Sequence, residues 1–214
     1  METDWLIKSF SSKCALCLIL LVAPLQGYAA KCFVDSPSIV KGQIDFDAVK
    51  IRALTHAEKK SVQAILKKLN GEWQGSATGY FCFGKKQKWS TKPDNYTIKA
   101  TAKGRSSRSV SLSAKLHSAE KKSYHMETLK LFLKGLQLYF DVPSSLGEIS
   151  IISITPNNIT FLQKYRNRVK SGGSIFREVV RSITVNESTL NIKHEVYTQG
   201  ELSSESTWQL SKKL

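Results

Sequence analysis

The chain contains few prolines and cysteines and none of the short motifs that mark common active sites. Its 214 residues include 5 prolines and 4 cysteines, and no Pro-rich hinge, low-complexity linker or repeat of about 20 to 50 residues divides them. The Gly-x-Ser-x-Gly elbow, the His-Glu-x-x-His pair and the phosphate-binding loop are all absent. These absences predict a binding protein rather than an enzyme, with no cofactor and no metal site.

One long apolar run is present, and it lies at the N-terminus. Two lysines precede an apolar run at residues 14–25, and small residues follow where a signal peptidase would cut, after Ala29 or Ala30. The run is about 12 residues long, which is shorter than the roughly 20 that a membrane-spanning helix needs. Residues 1–30 are therefore predicted to be a cleaved secretory signal peptide, and the protein is expected to be exported, either periplasmic or secreted.

Two of the four cysteines remain once the leader is removed. Cys14 and Cys17 belong to the leader, whereas Cys32 and Cys82 stay in the exported chain. In an oxidising compartment an isolated pair of cysteines most simply forms one disulfide. It would close a loop of about 50 residues, which stabilises a fold by about 4 kcal/mol in the chain-entropy model. Two unpaired buried thiols are the alternative.

Acidic residues are scarce relative to basic ones. There are 17 Asp and Glu against 32 Lys and Arg, which gives a formal net charge of +15. Two interpretations stay open: ordinary solvated faces, or attraction to an anionic partner such as a membrane surface, lipopolysaccharide or acidic polysaccharide. The predicted export argues against a nucleic-acid partner.

One amphipathic helix is predicted after an N-terminal arm at residues 31–54. Thr55 and Glu58 have the spacing of a capping box, and Asn70 and Gly71 supply a stop. The apolar positions between them fall on one helical face: Val62, Ile65, Leu66 and Leu69. Lysines occupy the other face. Packing against the end of a barrel is favoured over a position on a membrane surface.

From Trp73 onward the apolar residues alternate with a period of two, which is typical of half-buried antiparallel strands. The pattern gives eight to ten strands at hairpin spacing up to the C-terminus. We therefore predict a mainly β fold, an antiparallel up-and-down β-barrel over residues 55–214 with one N-terminal amphipathic helix. A two-sheet sandwich is the alternative.

The segment Leu69-Asn70-Gly71-Glu72-Trp73, the strands that follow it and the closing strand at 206–210 resemble the lipocalin and calycin barrels, especially the lipocalin-like proteins of bacterial envelopes. The resemblance implies an apolar cavity for a lipid, pigment or other small hydrophobic molecule. It also implies a basic residue packed over the tryptophan, for which Arg177 and Arg181 are the candidates.

The Gly-x-Trp-x-Gly form of residues 71–75 is also similar to the opening of nitrobindin-type haem barrels. That resemblance implies an axial histidine inside the barrel. His194 has the required phase, because it lies between Ile192 and Val196 on an apolar face. A hydrogen-bonded core histidine is the alternative interpretation.

We expect the barrel to bind a small hydrophobic or amphipathic molecule, such as a lipid, including an anionic one. The predicted ligand cavity consists of Trp73, Gly75, Ala77, Gly79, Phe81, Ala100, Ala114 and Trp208. The predicted rim, which would meet an anionic head, consists of Lys85, Lys86, Lys88 and Arg105. The alternative is a basic envelope module with a filled core, which acts through its surface on anionic lipid or polysaccharide.

Overall fold

The computed structural model describes residues 30–213 except residues 46, 119, 142–148 and 169–171. The predicted signal peptide therefore lies outside the described residues, apart from Ala30. In chain order the helix and strands are β1 Ile39–Val40, β2 Gln43–Ile44, α1 His56–Leu69, β3 Gly71–Lys85, β4 Lys88–Pro93, β5 Tyr96–Ser106, β6 Ser109–Ser118, β7 Ser123–Lys134, β8 Gln137–Asp141, β9 Ser150–Ile154, β10 Asn158–Arg168, β11 Ser174–Val185, β12 Thr189–Thr198 and β13 Glu201–Lys212.

Ten strands form one antiparallel path in the order β8-β7-β6-β5-β3-β13-β12-β11-β10-β9, and β4 pairs with the end of β3. The first long strand, β3, pairs with both β5 and the last strand, β13, as in an up-and-down barrel. Within the described residues no pairing joins β8 to β9. The sheet is an antiparallel half-barrel, and the prediction of a mainly β barrel fold with one N-terminal helix is confirmed.

The helix α1 lies at one end of the half-barrel, and its apolar face completes the core there. Thr55 and Glu58 form the predicted capping box, and Asn70 caps the C-terminal end. Ile65 and Leu66 are fully buried in the same apolar cluster as Trp73. The indole Nε1 of Trp73 donates to the Leu69 carbonyl at 2.8 Å, so the helix end and the first strand are fixed to each other.

Replacing Thr55 with alanine is expected to lower the free energy of unfolding by about 1 kcal/mol. The Thr55 hydroxyl accepts from the Glu58 backbone N–H at 3.2 Å, and alanine leaves that donor without a protein partner. Urea denaturation would measure the loss. Thr55→Ser is the matched control, because serine keeps the accepting oxygen. Equal losses in the two variants would contradict the role assigned to the cap.

The N-terminal arm runs along the outside of the half-barrel. The Phe33 backbone N–H donates to the Leu202 carbonyl at 3.0 Å. The hydroxyls of Ser36 and Ser38 donate to the carboxylate of Glu178, a residue of β11 that is fully buried beneath the arm. The arm therefore covers a polar spot on the outer face and continues the hydrogen bonding of the sheet.

The predicted disulfide is confirmed. Cys32 in the arm is bonded to Cys82 in β3, and their Cα atoms lie 5.7 Å apart. Tyr80 lies on the same outer face of β3 and accepts a hydrogen bond from the Lys31 backbone N–H at 3.0 Å. Among the described residues, no helix is long and apolar enough to cross a bilayer.

Candidate functional site

The inner face of the half-barrel is apolar near α1 and becomes polar toward the opposite end. We call that opposite end, which carries the β3–β4, β6–β7 and β12–β13 turns, the mouth. Strand register arranges the inward residues of neighbouring strands in rows. One row lies near the middle of the strands, on the side toward α1, and it is entirely apolar. It consists of Ala77, Trp208, Ile192, Ile183 and Ile159. All five residues are buried, so this row forms a closed floor.

The next row toward the mouth is polar. Gly79 of β3 is opposite Ser206 of β13, Ser206 is opposite His194 of β12, and His194 is opposite Arg181 of β11. Arg181 is in turn opposite Phe161 of β10. We call Ser206, His194 and Arg181 the polar row. It lies directly above the apolar floor, about halfway along the inner face.

Arg181 is a half-buried cation that has no acidic partner among the described residues. Its Nη1 donates to Gln163 Oε1 at 2.8 Å, whereas its shielded Nε has no hydrogen-bond partner in the described part of the chain. Its guanidinium carbon lies 4.5 Å from the centroid of the Phe140 ring. Burial lowers the pKa of Arg181 to about 10, although Tyr165 and Glu127 act in the opposite direction. The side chain therefore carries a full positive charge at neutral pH in a poorly solvated place.

His194 is held neutral beside that charge. Desolvation, together with the smaller effect of the positive charge of Arg181, lowers the pKa of His194 to about 3. Its ring centroid lies 5.5 Å from that of Trp208, and its shielded Nε2 has no hydrogen-bond partner among the described residues. The strand register places His194 in the same row as Ser206 and Arg181, on the inner face, where the side chain is half-buried.

The free energy of unfolding is expected to decrease as the pH is lowered, because of His194. The unfolded chain binds a proton at this histidine below pH 6.5, and the folded protein does not bind it until about pH 3. Each pH unit below 6.5 therefore costs about 1.4 kcal/mol. Between pH 7 and pH 5 we expect a loss of about 2 kcal/mol by urea denaturation. His194→Gln should remove this loss and the exposed control His117→Gln should keep it; equal slopes in both variants would contradict the assignment.

Above the polar row, the wall toward the mouth mixes apolar and polar groups. Val179 and Val196 are opposite each other in register, and Gln163 is opposite Val179. Arg177 and Tyr165 form the next pair toward the mouth. The Nε of Arg177 is shielded and has no partner among the described residues. Arg177 and Arg181 thus lie on the inner face of β11, one in the polar row and one nearer the mouth.

The other side of the half-barrel contributes a second polar group of residues. The inward residues Tyr96, His125 and Glu127 lie on β5 and β7. His125 Nε2 is 3.3 Å from Glu127 Oε1, and the Tyr96 and His125 rings meet edge to face with centroids 5.0 Å apart. Glu127 is close enough to Arg181 to raise the pKa of that residue. It is partly exposed, so it does not neutralise the buried guanidinium as a direct partner would.

The residues of the predicted ligand cavity do not all line one space. Trp73, Ala100, Ala114 and Trp208 are buried in the closed core on the α1 side. Side chains built at Gly75 and Gly79 would collide with the backbone of β13, so these glycines allow two strands to approach closely. Of the predicted set, Phe81 lies near the mouth and is 42% exposed. The interior expected beside the small residues is thus taken up by a neighbouring strand.

The predicted rim residues are divided between the two ends. Lys85, Lys86 and Lys88 lie at the β3–β4 turn, at the mouth. Arg105 follows Gly104, whose backbone N–H donates to the Asn70 side chain at the end of α1. The backbone of Arg105 is therefore at the opposite end, and the four residues do not form one rim.

The cation over Trp73 is Lys212, and neither Arg177 nor Arg181 holds that position. Lys212 Nζ is 5.3 Å from the centroid of the Trp73 ring, and Lys212 is opposite Trp73 in the β13–β3 register. The pairing of the last strand with the first brings them together. The two arginines lie instead on the inner face of β11, in the apolar phase of that strand. The sequence shows this phase, but it does not show that Lys212 takes the position over Trp73.

The described residues contain no group of three or more His, Cys, Asp or Glu side chains that could hold a metal ion. His194 is inward-facing and neutral, as a haem ligand must be. The neighbouring guanidinium of Arg181 is unfavourable to a metal cation there. The residues around His194 therefore fit an anion better than a haem iron.

A groove of about 670 Å³ lies on the outer surface of β5, β6 and β7. Hydroxyl groups, two ammonium groups and one ring line it: Thr101, Lys103, Ser111, Ser113, Lys130 and Phe132. The Phe132 ring stacks on that of Tyr139, with centroids 5.0 Å apart. This groove has a mixed polar and apolar lining and faces away from the interior.

Comparison with known proteins gives a likeness of fold. No protein-family model matches the chain, and no curated protein matches it. The chain is similar to a DUF3598-family protein of unknown function from Nostoc punctiforme, with 15% identity, a TM-score of 0.46, and coverage of 76% of this chain and 51% of that one. It thus spans about half the length of that protein.

Two further solved structures are similar over nearly their whole length. Rv2717c from M. tuberculosis is 12% identical, with a TM-score of 0.43 and coverage of 75% of this chain and 99% of that one. EF1p2_mFAP2b bound to DFHBI is 13% identical, with a TM-score of 0.39 and coverage of 71% and 99%.

Proposed function

We propose that the protein is an exported, non-enzymatic binding protein that holds an amphipathic molecule with an acidic head, such as a long-chain carboxylic acid, inside the half-barrel. The single observation that carries this proposal is the poorly solvated guanidinium of Arg181, whose shielded Nε has no hydrogen-bond partner and which lacks an acidic partner among the described residues. An unpaired buried charge is costly in free energy, and an anionic ligand would supply the missing partner.

The chemistry of the polar row favours a carboxylate over a neutral polar group. A guanidinium offers two parallel N–H donors that match the two oxygens of a carboxylate. Neutral His194 adds a further nitrogen, Nε2, that lacks a partner in the described part of the chain. When this nitrogen carries the proton of the neutral ring, it donates to the bound acid without adding a charge.

The position of Arg181 also favours one orientation of the ligand. The floor beneath the polar row is closed by Trp208, Ile192 and their neighbours, so an alkyl chain cannot continue toward α1. The wall toward the mouth contains Val179, Val196 and Phe81. We therefore propose that the acidic head enters first and reaches Arg181, while the alkyl chain extends toward the mouth. This orientation is the reverse of the one expected from the sequence, in which a basic rim holds the anionic head.

The confirmed disulfide supports an extracytoplasmic location, because such bonds persist in oxidising compartments. A lipocalin-like role in carrying a lipid through the envelope is the finer form of the proposal. It rests on the resemblance of the 69–73 segment and on Lys212 over Trp73.

Native mass spectrometry of protein recovered gently from the exported fraction tests the proposal. We expect a discrete added mass that is lost on denaturation and is identified as an acid with an apolar chain. A mass that stays bare, also after incubation with a lipid extract, would contradict the proposal.

The alternative function, a surface-binding module with a filled core, has support from one specific feature, the outer groove with Lys103 and the stacked Phe132 and Tyr139 rings. Aromatic faces and hydroxyls suit a polysaccharide, and lysine suits an acidic one. Titration with an acidic polysaccharide at low and high salt distinguishes the two. Binding that disappears with salt, in a protein without an interior ligand, would favour the alternative.

A further inference from the structure

The hairpin formed by the end of β3 and by β4 projects beyond the rest of the sheet. We call residues Tyr80–Pro93 the basic hairpin. Its two strands pair from Tyr80 opposite Pro93 to Lys85 opposite Lys88. The neighbouring strand β13 pairs with β3 only as far as Phe81, and β5 only as far as Ala77. Beyond Phe81 the hairpin therefore pairs only with itself, within the described residues.

The basic hairpin combines positive charge with exposed aromatic rings. It contains four lysines and no aspartate or glutamate. Phe81, Phe83 and Trp89 are 42%, 51% and 42% exposed, although residues of this kind are usually covered in a folded domain. Phe81 and Phe83 lie on one face of the hairpin and Trp89 on the other, because Trp89 is opposite Gly84. Both faces of the tip thus present a ring to the surroundings.

Most of the positive charge of the hairpin is not neutralised by neighbours. Lys86 lies 3.2 Å from Asp35 and 3.8 Å from Glu201, so it fastens the hairpin to the arm and to β13. Lys85, Lys88 and Lys92 have no ion pair with the described residues, and all three are exposed. The Cys32–Cys82 disulfide holds the base of the hairpin from the outer side. A rigid base carries a cationic, aromatic tip.

We propose that the basic hairpin docks the mouth of the half-barrel onto the surface of an anionic phospholipid bilayer. Aromatic rings prefer the boundary between headgroups and acyl chains, and lysines reach the phosphate groups while their alkyl stems cover apolar surface. Anionic headgroups attract the three unpaired lysines over about one Debye length. This inference rests on the hairpin alone and does not require a ligand at Arg181.

Tryptophan fluorescence reports on this docking with little interference. A chain processed at the predicted site keeps Trp73, Trp89 and Trp208, of which Trp73 and Trp208 are 1% exposed and Trp89 is 42% exposed. We expect a blue shift of the emission on vesicles of phosphatidylcholine with phosphatidylglycerol, and quenching by brominated acyl chains. Trp89→Phe should abolish both changes. The emission spectrum of the wild-type protein should stay unchanged with vesicles of phosphatidylcholine alone.

Charge variants test the electrostatic part of the proposal. Lys85→Glu with Lys88→Glu should weaken vesicle binding by at least about 10-fold in a sedimentation assay at physiological salt, given the attraction expected for each lysine. Lys60→Glu with Lys99→Glu makes the same change of net charge on α1 and on the outer face of β5, and should retain binding. Phe83→Ser, which changes no charge, should weaken binding and keep its salt dependence.

Three results would overturn the proposal. The first is an emission spectrum that ignores anionic vesicles. The second is equal weakening by the hairpin pair and by the control pair, which would show that net charge alone attracts the protein. The third is binding to an acidic polysaccharide without binding to vesicles. A thermal unfolding scan of each variant checks that the disulfide-held fold remains intact.

Discussion

Replacing Arg181 with methionine is expected to weaken the binding of a long-chain carboxylic acid by about 100-fold or more. The variant removes the guanidinium that would pair with the acid, in a poorly solvated place where the loss of one partner is costly. Binding of the matching long-chain alcohol, which lacks the negative charge, should change little. Isothermal titration of both molecules with wild type and variant measures the difference.

The same variant should not destabilise the protein without ligand. Arg181 is half-buried and has no acidic partner within the described residues, so methionine removes a partly desolvated charge and fills a similar volume. Arg108→Met, which removes an exposed arginine at the α1 end, is the control and should leave the affinity for the acid unchanged. An Arg181 variant that weakens acid and alcohol equally would contradict the pairing. It would indicate a change of cavity shape.

Removing the Cys32–Cys82 disulfide by a double substitution with serine is expected to lower the free energy of unfolding by about 4 kcal/mol. The bond closes a loop across a sequence separation of 50 residues and attaches the arm to β3. For a domain of this size the midpoint of thermal unfolding should fall by roughly 8 to 16 °C. A reducing agent should lower the wild-type midpoint to that of the variant and leave the variant unchanged.

Cys14→Ser with Cys17→Ser is the matched control for the disulfide, because both positions lie in the predicted leader. The exported protein from that variant should unfold at the wild-type temperature. Loss of the bond should also increase hydrogen exchange at Phe33, whose backbone N–H is bonded to Leu202. If the double-serine protein has unchanged stability, the hydrogen bonds of the arm are sufficient to hold it in place without the disulfide, and the prediction is contradicted.

Local signals in the sequence were enough to predict most of the fold. The helix between Thr55 and Asn70 has its capping box and one apolar face, and both depend only on residues a few positions apart. The alternation after Trp73 gives each strand an inner and an outer face. The disulfide followed from the two cysteines that remain once the predicted leader is removed. Each of these features is confirmed.

The candidate site could not be predicted in the same way, because it depends on register between strands far apart in sequence. Periodicity indicates that Arg181 and His194 face inward, but it does not indicate that they lie in one row above Trp208. It also cannot show that Arg105 and Lys85 lie at opposite ends. Lys212 was missed as the partner of Trp73 for the same reason, since their contact exists only because the last strand pairs with the first.

Small residues were also misread as empty space. Gly75 and Gly79 interrupt an inward-facing series, and a missing side chain suggests volume for a ligand. The strand β13 approaches so closely that its backbone occupies the position a side chain would take. A glycine in a strand often indicates such a close approach of backbone. The proposed ligand position is therefore on the mouth side of the polar row, and not beside these glycines.

The proposed binding site and the basic hairpin are at the same end of the molecule. A hairpin docked on a bilayer would bring the mouth to the surface from which an amphipathic acid leaves the membrane. The two proposals fail independently, because vesicle binding is tested without ligand and ligand binding without vesicles. If both hold, the half-barrel extracts its ligand with the head drawn toward Arg181.

The most direct test of the account is a ¹³C NMR measurement on a long-chain acid labelled at its carboxyl carbon and bound to the protein. If the head lies against Arg181, its resonance should stay that of an ionised carboxylate as the solvent pH is lowered through the range where free acids titrate. Arg181→Met should abolish this behaviour. A bound resonance that titrates like the acid in solution would place the head at the mouth and contradict the central claim.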